Sequence, residues 1–140
     1  MDWLKLKTSV GLAGAMIGGT LGAALGGWDM WLKALVLFVV LDYASGLLAA
    51  FVEKKLNSEV GFKGVAKKMF IFILVAVAFN IDVLMGTHIL RQAVIGFYLG
   101  TEGLSILKNA GRAGLWVPEI LKSALEELRK KGDTDAKRAN

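Results

Sequence analysis

A chain of 140 residues that is 55% hydrophobic, with seventeen glycines and one proline besides, is too apolar for an ordinary soluble domain, where roughly 45–50% of residues are apolar with glycine included. Its net charge of +5 would suit nucleic acid, but the charged residues gather in residues 53–68 and after Lys108, beside apolar segments, so membrane lipid and not nucleic acid is the expected partner. Cysteine is absent and His88 is the one histidine, which excludes disulfides, thiolate chemistry and a cysteine or histidine metal cluster; no cofactor is expected.

Residues 1–7 set Trp3 and Leu4 beside Lys5 and Lys7, the composition of an interfacial anchor. The apolar run after them is longer and richer in Gly and Ala than the core of about 7–15 residues in a signal peptide, so residues 8–27 read as a retained span. Gly14, Gly18, Gly22 and Gly26 recur every four residues there, and Gly11, Ala15, Gly19, Ala23 and Gly27 do the same. On a helix these sets form adjacent ridges of small residues, through which membrane helices approach closely. In water each such Gly would disfavour a helix by about 1 kcal/mol relative to Ala, but in a bilayer the backbone has no other way to satisfy its polar groups.

Residues 28–33 form a connector carrying Trp28 and Trp31, and residues 34–52 are a second span. Asp42, Ser45, Gly46 and Ala49 share one face of it at helical spacing, a polar and small seam in an otherwise apolar helix. Residues 53–68 read as a basic cytoplasmic connector with Lys54, Lys55, Lys63, Lys67 and Lys68, and Gly61 and Gly64 predict a turn within it. Residues 69–86 are a third span closed by Asn80 and Asp82, and residues 87–91 the next connector. Residues 92–108 make a weaker fourth span holding Glu102; Glu102, Ser105, Asn109 and Arg112 form a polar stripe on one face. Pro118 opens an amphipathic helix with Ile120, Leu121, Leu125 and Leu128 on its apolar face, and Gly132 stops it.

The expected fold is therefore all-α. A transmembrane domain of residues 1–112 has spans at about 8–27, 34–52, 69–86 and 92–108; a cytoplasmic amphipathic helix follows at 113–131, then a disordered polar tail at 132–140. Four spans put nearly all basic residues on one side, with only Lys33 and Arg91 on the other, which places both termini in the cytoplasm. A three-span form, with residues 8–27 outside the bilayer, puts the N-terminus outside.

Catalysis is not expected. Ser45, His88 and Asp82 have no nucleophile motif around them, and the glycines of residues 8–27 lack the Gly-Lys-Ser/Thr of a phosphate loop. What stands out is the set of intramembrane polar groups: Asp42, Ser45, Asn80, Asp82, Glu102, Ser105 and Asn109. Either the carboxylates line a water-filled path, or they bond across helices and hold the bundle, with Arg91 and Arg112 as ion-pair partners near the ends. The small residues Gly14, Gly18, Gly22, Gly26 and Gly46 are the candidate helix-packing positions.

The stretch LDYASGLLAAFVEKKLNSEVGFKGVAKK, followed by an apolar span ending in NID, resembles the phage holin family of the toxin-secretion/phage-lysis type. The later EGLSILKNA run and its proline-led helix resemble the same family, so the likeness covers Leu41 to about Lys131. The matching positions are Asp42, Gly46, Lys63, Gly64, Lys67, Lys68, Asp82, Glu102, Ser105 and Asn109. The resemblance implies a homo-oligomer in the bacterial inner membrane that opens a timed pore, releases an endolysin (or a toxin) as cargo, and causes host cell lysis. It also allows an antiholin as a partner. An antiholin or a non-lytic membrane scaffold is the alternative reading, and a small ion channel a weaker one.

Overall fold

The structure, a computed structural model, describes residues 2–139, the side chains of residues 58–60 excepted. Its described residues form five helices: α1 (Trp3–Ala24), α2 (Met30–Val52), α3 (Ser58–Met85), α4 (Ile89–Arg112) and α5 (Glu119–Arg138). Asp2 caps α1 by accepting from the Leu4 amide at 3.4 Å, and Asp29 caps α2 by accepting from the Leu32 amide at 2.9 Å. The helices close with a bond from an amide five residues on: Gly27 to the Gly22 carbonyl at 2.7 Å, Lys55 to Ala50 at 2.8 Å, Thr87 to Asp82 at 2.9 Å and Leu115 to Ala110 at 3.0 Å. Such an ending needs a left-handed residue just before the donor, and Gly26, Gly86 and Gly114 fill that place after α1, α3 and α4. After α2 it is Lys54, at φ 56°.

Helices α2, α3 and α4 share one core of Leu35, Val39, Ile71, Val75, Ile95 and Leu99. In α3, Lys68, Ile71, Val75, Ala78 and Asp82 recur at three and four residues and form its inner face. Among the described residues, two segments are long and apolar enough to cross a membrane: Met30–Val52, which is α2, and Gly61–Met85 within α3. The expected four spans thus reduce to two by this measure. Glycine dilutes the apolar surface of α1, and α4 carries Arg91, Glu102, Lys108 and Asn109.

Two further expectations are corrected. The basic connector shrinks to residues 53–57, because Gly61 and Gly64 lie inside α3 and do not form a turn. Their missing side chains leave room for the Tyr43 ring and hydroxyl; a Cβ at Gly61 would stand 3.2 Å from that oxygen. Residues 132–138, expected to be a disordered tail, continue α5. Gly132 does not stop the helix, because it is a contact point: a Cβ there would lie 2.5 Å from both the Ala93 carbonyl oxygen and the Phe97 amide nitrogen. The small-residue ridge of α1 is largely open within the chain, apart from the Trp28 indole, which donates to the Gly18 carbonyl at 2.9 Å. Gly11, Gly14, Gly18 and Gly19 have open space beside them, Gly22 receives the Trp28 indole, and Gly26 sits in the turn beyond the helix, against Arg91 and Phe79.

α5 runs back along α4, antiparallel to it. Gly100 faces the backbone of Leu125 and Arg129, Gly103 the Leu125 side chain, and Gly132 the α4 backbone, so the two helices touch almost main chain to main chain. Leu128 is packed against the common core.

Candidate functional site

Lys68 turns inward from α3 and donates to Asp42 of α2 at 2.5 Å and to Glu102 of α4 at 2.6 Å. Both carboxylates are buried, at 7% and 6% exposure, and the lysine side chain is 16% exposed. One ammonium thus ties three helices together at the level of the core. The Asn109 amide donates to Asp42 Oδ1 at 3.0 Å and to Ser45 Oγ at 2.9 Å. The Asn109 carbonyl oxygen accepts from Arg112 Nη1 at 3.2 Å, and Arg112 forks onto Glu53 through Nε at 3.0 Å and Nη2 at 3.1 Å. The result is an unbroken polar chain from the α2–α3 connector to mid-helix: Glu53, Arg112, Asn109, Asp42, Lys68, Glu102. The Arg112 fork holds the Glu53 carboxyl below its ordinary range, and Glu53 in turn raises Arg112. A cleft of about 270 Å³ beside this chain is lined by Tyr43, Lys55, Ser105 and Arg112 among others, with Lys68 and Asp42 in its wall.

A second polar cluster closes the opposite end. Arg91 donates through Nε to the Leu25 carbonyl at 2.6 Å, through Nη2 to Gly27 at 3.0 Å, and through both terminal nitrogens to Asp29 at 2.6 and 3.2 Å. One guanidinium thereby satisfies the carbonyl end of α1 and pins the turn before α2 to the start of α4. It also holds the Asp29 carboxyl below its ordinary range. Asp82 accepts from the amides of Leu90 at 3.1 Å and Arg91 at 2.8 Å and from the Thr87 hydroxyl at 2.6 Å. It caps the N-terminus of α4 from the previous helix, where His88 offers no side-chain cap.

The structure brings together Asp42, Ser45, Glu102 and Asn109, with Ser105 in the same cleft and Gly46 beside it, where an added Cβ would stand 3.5 Å from the Asn109 amide nitrogen. Asp82 belongs to the other end. Asn80 is exposed and bonds back to the Ala76 carbonyl of its own helix, outside both clusters. Lys54, Lys55, Lys63 and Lys67 are exposed as expected of basic flanks, but Lys68 is the hub of the buried network. Arg91 and Arg112 do form ion pairs, with Asp29 and Glu53 in place of the intramembrane carboxylates. The missed signal was register. Lys68 continues the inner face of Ile71, Val75 and Ala78, and Arg91 that of Ile95, Leu99 and Glu102.

A sequence model described as the Bacteriophage holin family matches residues 19–130. The chain belongs to that family. A probable holin of Bacillus phage phi105 is 30% identical over 112 residues, covering 79% of this chain and 83% of its own. A protein of Listeria innocua serovar 6a is 45% identical over 136 residues, 96% of each chain. A 14.9 kDa protein encoded in the nagH 3′ region of Clostridium perfringens is 39% identical over 108 residues, 76% of this chain and 82% of the relative. No solved structure matches. The holin-family stretch contains the whole Glu53–Glu102 polar chain and both segments long and apolar enough to cross a membrane, and leaves most of α1 outside it. Family and apolar helices together make this a membrane protein.

Proposed function

We propose that the chain is a holin, a non-enzymatic protein whose copies associate in the inner membrane of a bacterial host and open a timed lesion. An endolysin, or a toxin, passes as cargo, and the host lyses. Membership of the holin family carries this reading, and the pattern of burial supports it: charge is paired inside, while Leu37, Leu48, Phe70, Val77 and Leu84 stand exposed on the two crossing helices, as lipid contact requires. The basic connector at 53–57, the α4–α5 turn and the N-terminus face the cytoplasm, and the C-terminus joins them only while α5 is undocked from α4. The exposed shaft of α1, with open ridges at Gly14 and Gly18, is the surface through which copies meet. The Asp42–Lys68–Glu102 group acts as a strut within each copy.

Induced expression in a bacterium loaded with a potential-sensitive dye tests the function. A holin gives abrupt single-cell depolarisation after a delay, followed by loss of viability. Steady growth with a held potential would refute it, and delayed killing by a co-expressed lytic holin would identify an antiholin.

A further inference from the structure

The placement of α5 conflicts with an ordinary cytoplasmic tail. Its C-terminal half lies beside the far ends of the crossing segments: Lys131 and Asp135 share a groove with Trp31 and Ile89, and Asp133 and Ala136 share one with Leu74, Ile81 and Met85. Its first turns lie by Leu104 and Lys108. α5 therefore runs the length of the apolar segments, held by the glycine contacts at 100, 103 and 132. Opposite those contacts, Ser123, Glu127, Lys130, Thr134 and Lys137 recur at three and four residues, and all are exposed. A helix at this depth with such a face cannot turn it to hydrocarbon, where charged groups are strongly disfavoured. The face points away from α4, and its Lys137 pairs at 2.9 Å with Asp133 of its own helix, an exposed pair that still needs water around it.

We propose that α5 forms the lumen wall of the lesion: docked on α4 at the depth of the two crossing helices, it turns the Glu127–Lys130–Thr134–Lys137 face to water enclosed by several copies. This deepens the holin reading and rests on it. The buried carboxylates Asp42 and Glu102 are then not the lining, since both are committed to Lys68. The lining is a hydrophilic helix that starts in the cytoplasm and reaches the outer end of the bundle when it docks. Its mixed charge gives a wide aqueous path weak ion preference, which suits release of a protein better than filtering of one ion.

The test uses the full chain in planar bilayers, made easy by the lack of native cysteine. Lys130→Cys and Thr134→Cys are exposed to a charged, water-soluble thiosulfonate while current is recorded, with Leu84→Cys on the apolar face of α3 as control. A stepwise loss of current at both α5 positions, and none at 84, is the expected result. Lys137→Glu should also move the reversal potential in a salt gradient towards cation preference. Currents that ignore the reagent at both α5 sites, with a reversal potential unchanged in Lys137→Glu, would overturn the lumen assignment and leave the holin reading standing. If the unmodified chain conducts nothing, the holin reading itself falls, and this inference with it.

Discussion

At the scale of single residues, the decisive feature is one lysine shared by two buried carboxylates. Removing one member of a buried ion pair leaves an uncompensated charge and costs about 3–5 kcal/mol, whereas replacing the whole group by neutral side chains of similar size is often neutral or stabilising. Lys68→Met should therefore destabilise the α2–α3–α4 bundle by about that amount, and adding Asp42→Asn and Glu102→Gln should restore most of it. Thermal unfolding in detergent, followed by circular dichroism, reads both. A triple variant no more stable than Lys68→Met would show that the network is not a strut. At the opposite end, Arg91 depresses the Asp29 carboxyl. That contribution is fully present above the unfolded carboxylate value and fades as pH falls through the lower folded one, so it persists at pH 5 and is lost only below about pH 4. The stability gap between wild type and Asp29→Asn should hold from pH 7 to 5 and close in stronger acid. Asp42, Ser45, Glu102 and Asn109 were legible in the sequence because a polar residue at helical spacing in an apolar run has few explanations. Lys68 was hidden by its neighbours: Lys63 and Lys67 made it look like one more basic flank, although five positions of register marked it as internal.

At the scale of the helices, glycine has two opposite meanings in this chain, and sequence spacing alone does not separate them. The regular ridge of α1 is open, while the less regular Gly100, Gly103 and Gly132 form the tightest helix contact in the fold. Propensity favours Ala over Gly inside a helix by about 1 kcal/mol, so substitutions separate the two classes by sign. Gly111→Ala, with nothing nearby, should stabilise α4 by up to about that amount. Gly132→Ala should instead loosen α5, because its Cβ would meet backbone atoms that cannot move aside. Hydrogen exchange of the α5 amides measures this: faster exchange in Gly132→Ala is expected, and slower exchange would mean that α5 is not seated on α4. The extent of α5 was unreadable for the same reason. A glycine followed by Asp, Thr and Asp ends a helix on local grounds, and only the surface of α4 overrides that.

For the whole molecule, the all-helical class and the two segments long and apolar enough to cross are legible in the long apolar runs, since such runs have one stable form in a bilayer. The number of crossings does not, because α1 and α4 fall between classes. α1 has no charge after Lys7 but little apolar side chain, and α4 has apolar faces interrupted by Arg91, Glu102 and Asn109. The ion pairs change how α4 should be counted. An isolated charge at the centre of a span costs about 2.5–3.5 kcal/mol, but the buried charges of α4, Glu102 and Arg91, meet their partners on α3 and in the turn before α2, so α4 would enter the bilayer only as part of the bundle. α1 has no such support, so in a four-span form it would cross alone or with another copy. Before the lesion opens, while α5 is undocked, tags at both ends should resist protease added to intact spheroplasts, and a cysteine placed at His88 should react with an impermeant thiol reagent. An N-terminal tag cut from outside, with the C-terminal tag still protected, would leave α2, α3 and α4 as the three crossings and lay α1 on the outer surface. The route for contact between copies through Gly14 and Gly18 would then have to lie outside the bilayer.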